Sequence, residues 1–334
     1  MDKKYWIFAI MTLVIISGCT ESDITGKTVY NAEKPLTIGI QNSPANALIM
    51  VAKDKGFFQQ EGLNVELVEF TGGKYALQAF LSGSIDMAVS GEVPVTFSSM
   101  QGNEFYVITQ VVERTTNEVR VVAIKEPDLD TPHEYFNAKR RKLATSVGGG
   151  PEFYIYNFMK KYNITDAELV NLKPEDMPVA LESGSVDAIA IFDPHAYFAE
   201  QKLGSKAVTF WDETMYSELY VLSADRDWVN QNPEIIERII RSLVKASEFM
   251  KENPAESKAI VANYTKLDKK TLDGIWGNFE FKPALNNLLL EYWNLEAEWA
   301  KETGKVKNEA QIPDFKAYIY KDALLKVKPE AVTI

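Results

Sequence analysis

Two hydrophobic periodicities alternate along most of the chain. Short β-branched runs such as "PLTIGI" (35–40) predict strands, and the stretch that follows, with apolar residues at near-helical spacing up to Gly62, predicts a helix. This order of strand and helix continues to about residue 117, is interrupted by an irregular stretch with two prolines, and restarts at "KLATSV" (142–147). Strands that alternate with helices are typical of βαβ units and a mostly parallel sheet.

The chain becomes strongly helical from Pro233 onward. Segments 233–254 and 283–304 are both amphipathic, and the second carries one apolar face that needs a body to pack on, formed by Leu288, Leu289, Tyr292, Leu295 and Trp299. The pattern therefore predicts two α/β units followed by a helical C-terminal part. Extended segments near 118–124 and 218–224 are the predicted places where the chain crosses between the units.

One phrase occurs twice at a constant offset. "FLSGSIDMAVSGEVP" (80–94) and "LESGSVDAIAIFDP" (181–194) share the Ser-Gly-Ser turn, the aspartate and the apolar run. In each copy a helix ends at Ser-Gly, the aspartate begins a strand, and the strand ends before the next helix. Ligands of open α/β sheets bind outside the carboxyl ends of the strands. The repeat therefore predicts two lobes whose strand ends, at 90–92 and 192–194, meet across one cleft.

The N-terminus predicts export. Lys3 and Lys4 precede an apolar stretch of about a dozen residues, which is shorter than the roughly 20 residues that span a bilayer, and small residues follow. The sequence Ile-Ser-Gly-Cys at 16–19 resembles the lipobox of prokaryotic lipoproteins, in which the cysteine is acylated. We expect a signal peptide over 1–18, and a lipid anchor at Cys19 with a polar tether over 19–33. Cys19 is the only cysteine, so an internal disulfide and a thiolate metal site are excluded.

Composition narrows the classes of partner. The 334 residues include 36 basic and 47 acidic side chains, and a net charge of −11 argues against a nucleic-acid partner, which needs a basic face. His133 and His195 are the only histidines, so a histidine metal cluster is not expected. No serine–histidine–aspartate arrangement can be placed. We therefore expect no catalytic residue, no metal and no cofactor.

Five segments in order resemble one protein family. They are "AKDKGFFQQEGLNVEL", "ALQAFLSGSIDMAVSG", "LATSVGGG", "MPVALESGSVDAIAIFDP" and the aromatic late helix. The chain, from Pro35 to about residue 320, resembles the solute-binding proteins of ABC importers in the nitrate, sulfonate, taurine and thiamine-precursor group. The resemblance implies an α/β fold of the periplasmic-binding-protein type II. Its two lobes, 34–117 with 224–334 and 118–223, would enclose a ligand cleft and be joined by two crossing hinge strands.

The resemblance also implies which residues face the ligand. Matching the family's strand-end loops gives the expected ligand-binding residues Asn42, Ser43, Gly73, Lys74, Ser90, Gly91, Glu92, Arg114, Ser146, Gly148, Gly149, Phe192 and Asp193. The segment "SVGGGPE" (146–152) suits an anion through backbone N–H groups and a helix dipole, or it is a permissive glycine turn. It lacks the GK[ST] ending of a nucleotide P-loop. Lys74 and Arg114 would neutralise a sulfonate or carboxylate, or be solvated.

Glu92 and Asp193 occupy equivalent positions in the two copies of the repeat. Either they accept hydrogen bonds from a substrate amine or ring N–H, or they cap helices. Asp193 precedes Pro194 and matches an N-cap followed by proline, whereas glutamate caps poorly. We therefore expect Glu92 to contact the ligand and to face solvent in the ligand-free form. A carboxylate there favours taurine-like or aminopyrimidine-like solutes over nitrate.

The expected function is that of a lipid-anchored, exported solute-binding protein. It would be a monomer on the outer face of the cell membrane that delivers a small organic ion, sulfonate-like, taurine-like or thiamine-precursor-like, to the permease subunits of an ABC importer. The alternative is an enzyme on the same fold, since relatives in pyrimidine and menaquinone synthesis are catalytic. The lipobox and the absence of the cysteine-rich signature of the pyrimidine synthases disfavour that alternative. The identity of the solute stays open at this point.

Overall fold

The structure, a computed structural model, describes residues 34–114, 118–212, 214–307 and 309–334. The expected signal peptide, Cys19 and the tether lie outside these residues, as does the side chain of Arg114. Within them the chain forms two β-sheets with helices packed around them, which is the predicted α/β class. No helix in the described ranges is long and apolar enough to cross a membrane.

The first sheet has six strands in the order β11-β4-β10-β3-β1-β2. Its strands are β1 (Leu36–Gln41), β2 (Val65–Phe70), β3 (Met87–Gly91), β4 (Phe105–Arg114), β10 (Leu219–Asp225) and β11 (Phe279–Glu280). Strands β1, β2 and β3 are parallel, so their carboxyl ends lie at one edge. Strand β10 runs antiparallel to both β3 and β4.

The second sheet has five strands in the order β7-β6-β8-β5-β9. Its strands are β5 (Val119–Ile124), β6 (Arg141–Thr145), β7 (Ala167–Asn171), β8 (Ala188–Phe192) and β9 (Ala207–Phe210). Strands β6, β7 and β8 are parallel, as β1, β2 and β3 are in the first sheet. Strand β5 is antiparallel to its neighbours β8 and β9.

Fourteen α-helices lie within the described residues. They are α1 (Ala47–Asp54), α2 (Phe57–Gln60), α3 (Gly73–Leu81), α4 (Glu92–Met100), α5 (Pro132–Asn137), α6 (Gly150–Lys161), α7 (Met177–Glu182), α8 (His195–Leu203), α9 (Arg226–Gln231), α10 (Pro233–Glu252), α11 (Pro254–Thr265), α12 (Lys269–Ile275), α13 (Asn287–Glu302) and α14 (Asp322–Val327). The predicted single helix before Gly62 is two helices, because Gly56 adopts a φ of 68°, which ends α1.

The chain passes between the two sheets twice. It leaves the first sheet after β4 and enters the second at β5, and it returns between β9 and β10. The expected lobe boundary at residue 223 falls inside β10, and Leu219 already pairs with Glu113 of the first sheet. The return crossing therefore lies between Phe210, the last residue of β9, and Leu219, the first residue of β10.

The two copies of the Ser-Gly-Ser phrase form the same turn. Gly83 has a φ of 74° and Gly184 a φ of 71°, a region that favours glycine. In each copy the hydroxyl groups of the two serines lie 2.9 Å apart. The aspartates that follow make matching bonds: Oδ2 of Asp86 accepts from the backbone N of Thr37 in β1, and Oδ2 of Asp187 accepts from that of Lys142 in β6, each at 2.8 Å.

Helix α13 belongs to both hydrophobic cores. Leu289 and Trp293 lie in the core of the first sheet, and Trp299 lies in the core of the second. The apolar face predicted for this helix is partly wrong, because Leu295 is 46% exposed whereas Glu296 is fully buried. A helix that packs between two hydrophobic cores buries more than one of its sides. A prediction that assumes a single apolar face therefore assigns the wrong exposure to residues at the edges of that face.

Candidate functional site

A cavity of about 460 Å³ lies between the two sheets, at the carboxyl ends of the parallel strands of both. The first sheet and its connections contribute Gln41, Thr71, Gly72, Gly73, Lys74, Tyr75, Gly91, Pro94, Glu218 and Tyr220, and the second contributes Ser146, Gly149, Gly150, Pro151, Asn171, Leu172, Lys173, Pro174, Glu175 and Phe192. This is the edge at which open α/β sheets bind ligands. The volume is that of a site for a small organic molecule, about 300–1,000 Å³.

Three helices begin at the cavity, and each has a glycine as its N-cap. Gly72, Gly91 and Gly149 precede α3, α4 and α6, and no side chain caps any of the three. Uncapped helix starts leave backbone N–H groups for other acceptors, and the helix dipole favours a negative charge beside them. One of these backbone N–H groups already has an acceptor within the protein, because the N–H of Gly73 donates to Oε1 of Gln41 at 3.3 Å. The same oxygen also accepts from the hydroxyl of Tyr220 at 2.8 Å.

Glu218 is an acidic residue in the buried part of the cavity wall. Its side chain is contributed by the return crossing, just before β10, and the residue is 4% exposed. A Cβ atom built on Gly91 would lie 2.8 Å from Oε1 of Glu218, and one built on Gly150 would lie 2.6 Å from the same oxygen. Both contacts are too short for a methyl group, so the two glycines make room for this carboxylate.

The rim of the cavity carries basic side chains. Lys74 is half-buried, and its Nζ donates to the backbone oxygen of Val147 at 3.1 Å, so this lysine of α3 reaches the loop after β6. Lys173, after β7, is exposed, as is the neighbouring Glu175. The cavity thus has cations at its mouth and a carboxylate deeper inside.

Glu92 does not face the cavity, which corrects the expectation that it meets solvent. It is fully buried behind the cavity wall, where its carboxyl accepts from the hydroxyl of Tyr216 and, at 2.8 Å, from the backbone N of Leu219. Glu296 of α13 is also fully buried, hydrogen-bonds to Glu92, and accepts from the hydroxyl of Thr96 at 2.6 Å. A glutamate at the first turn of a helix therefore joins α4 to the return crossing and to α13.

Burial determines the charge of these two carboxyls. It raises the pKa of Glu92 to about 8, and the neighbouring charge of Glu218 adds to the rise, against the hydrogen bond from Tyr216. Burial also raises the pKa of Glu296 well above its usual range. At neutral pH Glu92 and Glu296 are therefore held mainly in their neutral, proton-donating form.

Asp193 is also buried, but with a cation. Its Oδ1 lies 3.0 Å from Nη2 of Arg120, and Oδ2 accepts from Nδ2 of Asn278 at 2.8 Å. Arg120 makes a second, two-pronged contact with Glu200, with both bonds at 2.8 Å. Burial raises the pKa of Asp193, while the charge and hydrogen bond of Arg120 act against that rise. Helix α8 begins at His195, and Asp193 accepts from the backbone N of Tyr197, so the helix-capping alternative describes part of its role.

The structure brings together six of the expected ligand-binding residues. Those that line the cavity are Gly73, Lys74, Gly91, Ser146, Gly149 and Phe192. Six others lie outside its lining, among them Glu92 and Asp193, which are buried as described. Asn42 is exposed and donates to Glu69, and the N–H of Gly148 donates to Glu152. Ser43 and Ser90 are buried, and each makes a hydrogen bond to a nearby backbone group. The side chain of Arg114 is outside the described part of the chain.

Two segments of the cavity wall contain none of the expected residues. One is the end of β7 with the loop after it, 171–175, which follows the same strand-end rule as the expected loops and is therefore accessible to prediction from the sequence. Glu218 is the last residue before the antiparallel strand β10 and Tyr220 lies near its start, and the strand-end rule does not apply to either. No local signal in the sequence distinguishes these two residues from the rest of the crossing.

Comparisons with known sequences match most of the chain. The model of the NMT1-like family matches residues 31–265. A Bacillus subtilis protein named for binding aliphatic sulfonates is 25% identical over 285 residues, which are 83% of this chain and 83% of that protein. The formylaminopyrimidine-binding protein of Halalkalibacterium halodurans is 26% identical over 259 residues, 75% of this chain and 76% of the relative.

A solved structure has the same architecture. The periplasmic aliphatic sulphonate binding protein from Escherichia coli aligns with a TM-score of 0.73 at 20% identity, over 86% of this chain and 97% of that one. The match confirms the predicted fold class, that of periplasmic binding proteins. The relatives and the solved structure are all named as binding proteins.

Proposed function

The chain belongs to the NMT1-like family, which confirms the resemblance drawn from its sequence motifs, and on that premise we propose that it is an exported solute-binding protein of an ABC importer. It captures a small organic ion, either sulfonate- or taurine-like or thiamine-precursor-like, and delivers it to the permease subunits. The observation that carries the proposal is the cavity of about 460 Å³ between the carboxyl ends of both sheets. That the matched relatives are named as binding proteins supports this function over the enzyme alternative.

Three features of the cavity suit an anionic or polar solute. Lys74 supplies a positive charge at the mouth, α3 begins there without a side-chain cap, and Ser146 offers a hydroxyl group. Phe192 and Tyr75 offer apolar surface to a carbon skeleton or a ring. A mixture of apolar wall and a few polar groups is typical of small-molecule sites.

Ligand capture would work by closure of two lobes, residues 34–114 with 219–334 and residues 118–212. The solute would contact both walls and shift an open–closed equilibrium toward the closed state. Lys74 supports this mechanism, since its bond to the oxygen of Val147 already joins the two sides of the cavity mouth. We propose that the working form is a monomer.

Ligand-induced stabilisation tests the function. The purified full chain is heated with ethanesulfonate, taurine, an aminopyrimidine and nitrate, and Tm is measured for each. A solute at 100 times its Kd stabilises the folded state by about 2.7 kcal/mol, so a true ligand raises Tm measurably. The proposal is wrong if none of the organic solutes changes Tm.

Lipid anchoring is proposed from Cys19 and tested separately. Cys19→Ala removes the only thiol in the chain, so the protein should be released from the membrane and lack the mass of a lipid group. The Tm of the variant should equal that of the wild type, because residue 19 lies far before β1. Unchanged membrane retention and unchanged mass would contradict anchoring at this residue.

A further inference from the structure

The helices α4 and α13 each contribute to both hydrophobic cores. Val95 of α4 and Trp293 of α13 lie in the core of the first sheet, whereas Val93 of α4 and Trp299 of α13 lie in the core of the second. The ring of Phe97 in α4 stacks on that of Trp299, with centroids 5.6 Å apart. The two helices therefore form a junction between the two sheets.

Glu92 of α4 and Glu296 of α13 meet inside this junction. Both carboxyls are fully buried, and they hydrogen-bond to each other. Glu92 also accepts from the hydroxyl of Tyr216, which belongs to the second core, and at 2.8 Å from the backbone N of Leu219, which belongs to the first. The carboxyl of Glu92 thus bonds to residues of both cores, and Glu296 connects it to α13.

The pair of carboxyls has no partner cation. None of the ion pairs within the described ranges includes Glu92 or Glu296. Oε2 of Glu296 accepts from the hydroxyl of Thr96 at 2.6 Å, whereas Oε1 is buried and receives no hydrogen bond from the described residues. Two carboxylates offer each other only acceptors, so a hydrogen bond between them needs a proton on one of the two. A proton on Glu296 also avoids the cost of burying an ionised group that lacks donors.

The neighbouring residues do not supply the missing positive charge. Among the described residues, the titratable groups that interact with the pair are Tyr216, Glu218 and Tyr292. Helices α3 and α6 also pack on α4, and each has a charged residue in its first turn. Of these, Lys74 donates to the backbone oxygen of Val147, and Glu152 accepts from Lys305. Protonation is therefore the means by which this junction avoids buried charge.

Burial and mutual repulsion keep protons on the pair. Burial raises the pKa of Glu92 to about 8 and that of Glu296 well above its usual range. Coupled acids lose their protons in two steps, and the first step leaves one proton shared between them. A carboxyl whose pKa is raised on folding stabilises the folded state in acid, and this contribution is lost as pH rises through the raised pKa.

We infer that Glu92 and Glu296 form a proton-dependent clamp that holds the two sheets together at their junction. Glu296 donates its proton to Glu92, so that α4, α13 and the return crossing stay joined while the pair keeps at least one proton. When the last proton leaves to the solvent, two buried carboxylates remain in contact and repel each other. The junction then separates and admits water, so the clamp holds in acidic and neutral solution and opens in alkali. This inference does not rest on the proposed function.

Infrared spectroscopy of the purified full chain detects the clamp through the C=O stretching band of protonated carboxylic acids. Exposed carboxyls have a pKa of about 4 and are ionised at pH 7, so a band at this pH reports buried acids. The wild type should show the band at pH 7 and lose it as pH rises to 10. Glu296→Gln should remove roughly one carboxyl's share of the band at pH 7. Glu298→Gln, which changes an exposed glutamate of the same helix, should leave the band unchanged.

Small-angle X-ray scattering of the solute-free protein measures the separation of the two sheets. The radius of gyration of the wild type should increase over the same pH range in which the band disappears. Glu296→Gln keeps an amide that can donate to Glu92 and accept from Thr96, but it cannot ionise. Its radius of gyration should therefore increase less than about half as much as that of the wild type, because only one carboxyl of the pair can still ionise. Glu298→Gln should follow the wild type.

Each outcome supports or overturns the clamp, and none depends on a solute. The absence of a protonated-acid band at pH 7 overturns it. A radius of gyration that stays constant, or that increases equally in the wild type and Glu296→Gln, overturns it as well. If Glu296→Gln does not fold, the wild type decides alone: the loss of the band and the increase in radius should share one midpoint, and two separate midpoints contradict the clamp.

Discussion

The two copies of the Ser-Gly-Ser phrase agree in their first half and differ in their second. At the start, both copies make the same glycine turn, and both aspartates hold the first residues of a neighbouring parallel strand. At the end, Glu92 is buried among carboxyl and hydroxyl groups, whereas Asp193 is buried against Arg120. The two copies therefore share the turn and the bond from the aspartate to a neighbouring strand. They differ in the side chains that surround the acidic residue at the end of each copy.

The difference shows two ways to bury an acid. An ion pair keeps Asp193 compatible with its surroundings as long as the arginine is present. Burial and a neighbouring charge instead raise the pKa of Glu92, so this carboxyl keeps its proton. The stability that Glu92 contributes therefore depends on pH rather than on a partner cation. The three predictions below test this contrast, beginning with the largest expected effect.

Removal of the cation from the second copy should be the most damaging change. Arg120→Met leaves Asp193 and Glu200 without their shared positive charge, and breaking a buried pair from one side costs about 3–5 kcal/mol. Urea unfolding at pH 7 measures the loss. Lys202→Met is the control, because its pair with Glu182 is exposed and should be worth less than about 1 kcal/mol. Equal losses in both variants would contradict the buried ion pair.

The first copy should respond to pH instead. A carboxyl whose pKa is higher in the folded than in the unfolded chain contributes less stability as pH rises, here from its ordinary value of 4.5 to about 8. Glu92→Gln mimics the protonated form, so its unfolding free energy should fall less than that of the wild type over this range. We expect a difference on the order of a few kcal/mol, measured by urea unfolding at pH 5 and pH 8.

The burial of Glu92 is the reason for this expectation, since a carboxyl that faced solvent could be changed to an amide with little effect on the ligand-free stability. Tyr216, Glu218, Tyr292 and Glu296 are the titratable groups around Glu92 among the described residues, and all four remain in the variant. Glu182→Gln removes one exposed carboxylate and serves as the matched surface change. Parallel curves for the wild type and Glu92→Gln would show that this carboxyl does not hold its proton on folding.

Substitutions in the shared first halves of the two copies should have similar effects on stability, and these should be the smallest of the three. Asp86→Asn and Asp187→Asn each weaken a bond from a backbone N–H to a carboxylate, so each should cost about 1–2 kcal/mol in urea unfolding. Ser82→Ala changes an exposed side chain of the same turn and should stay within about 0.5 kcal/mol. A large effect in one copy with none in the other would show that the two turns are not equivalent in energy.

Much of the fold could be predicted because its signals are local. The Ser-Gly-Ser turns, the alternation of strands and helices, and the strand-end position of the cavity all follow from short stretches of sequence. Helix α5 is not among the predicted elements, although Thr131 and Glu134 form a capping box, which is a local signal for the start of a helix.

The chemistry of the site could not be predicted in the same way. Glu92 receives its hydrogen bonds from residues more than a hundred positions away, Tyr216 and Leu219. The space that the Glu218 carboxyl occupies depends on two glycines, Gly91 and Gly150, from opposite sides of the cavity. Burial and the sum of neighbouring charges set these properties, and neither is visible in a local pattern. A carboxylate at the end of a strand therefore identifies a position in the fold but not its protonation or its partner.

The place of β10 in the first sheet determines the order in which the molecule can be completed during synthesis. Both neighbours of β4, which are β10 and β11, follow the whole second sheet in the chain. After β4 has left the ribosome, roughly a hundred residues must be added before β10 exists, which takes about 5–20 s at 5–20 residues per second. The strands of the second sheet are consecutive in the chain, so that sheet can pair completely while the first sheet still lacks two of its strands, β10 and β11.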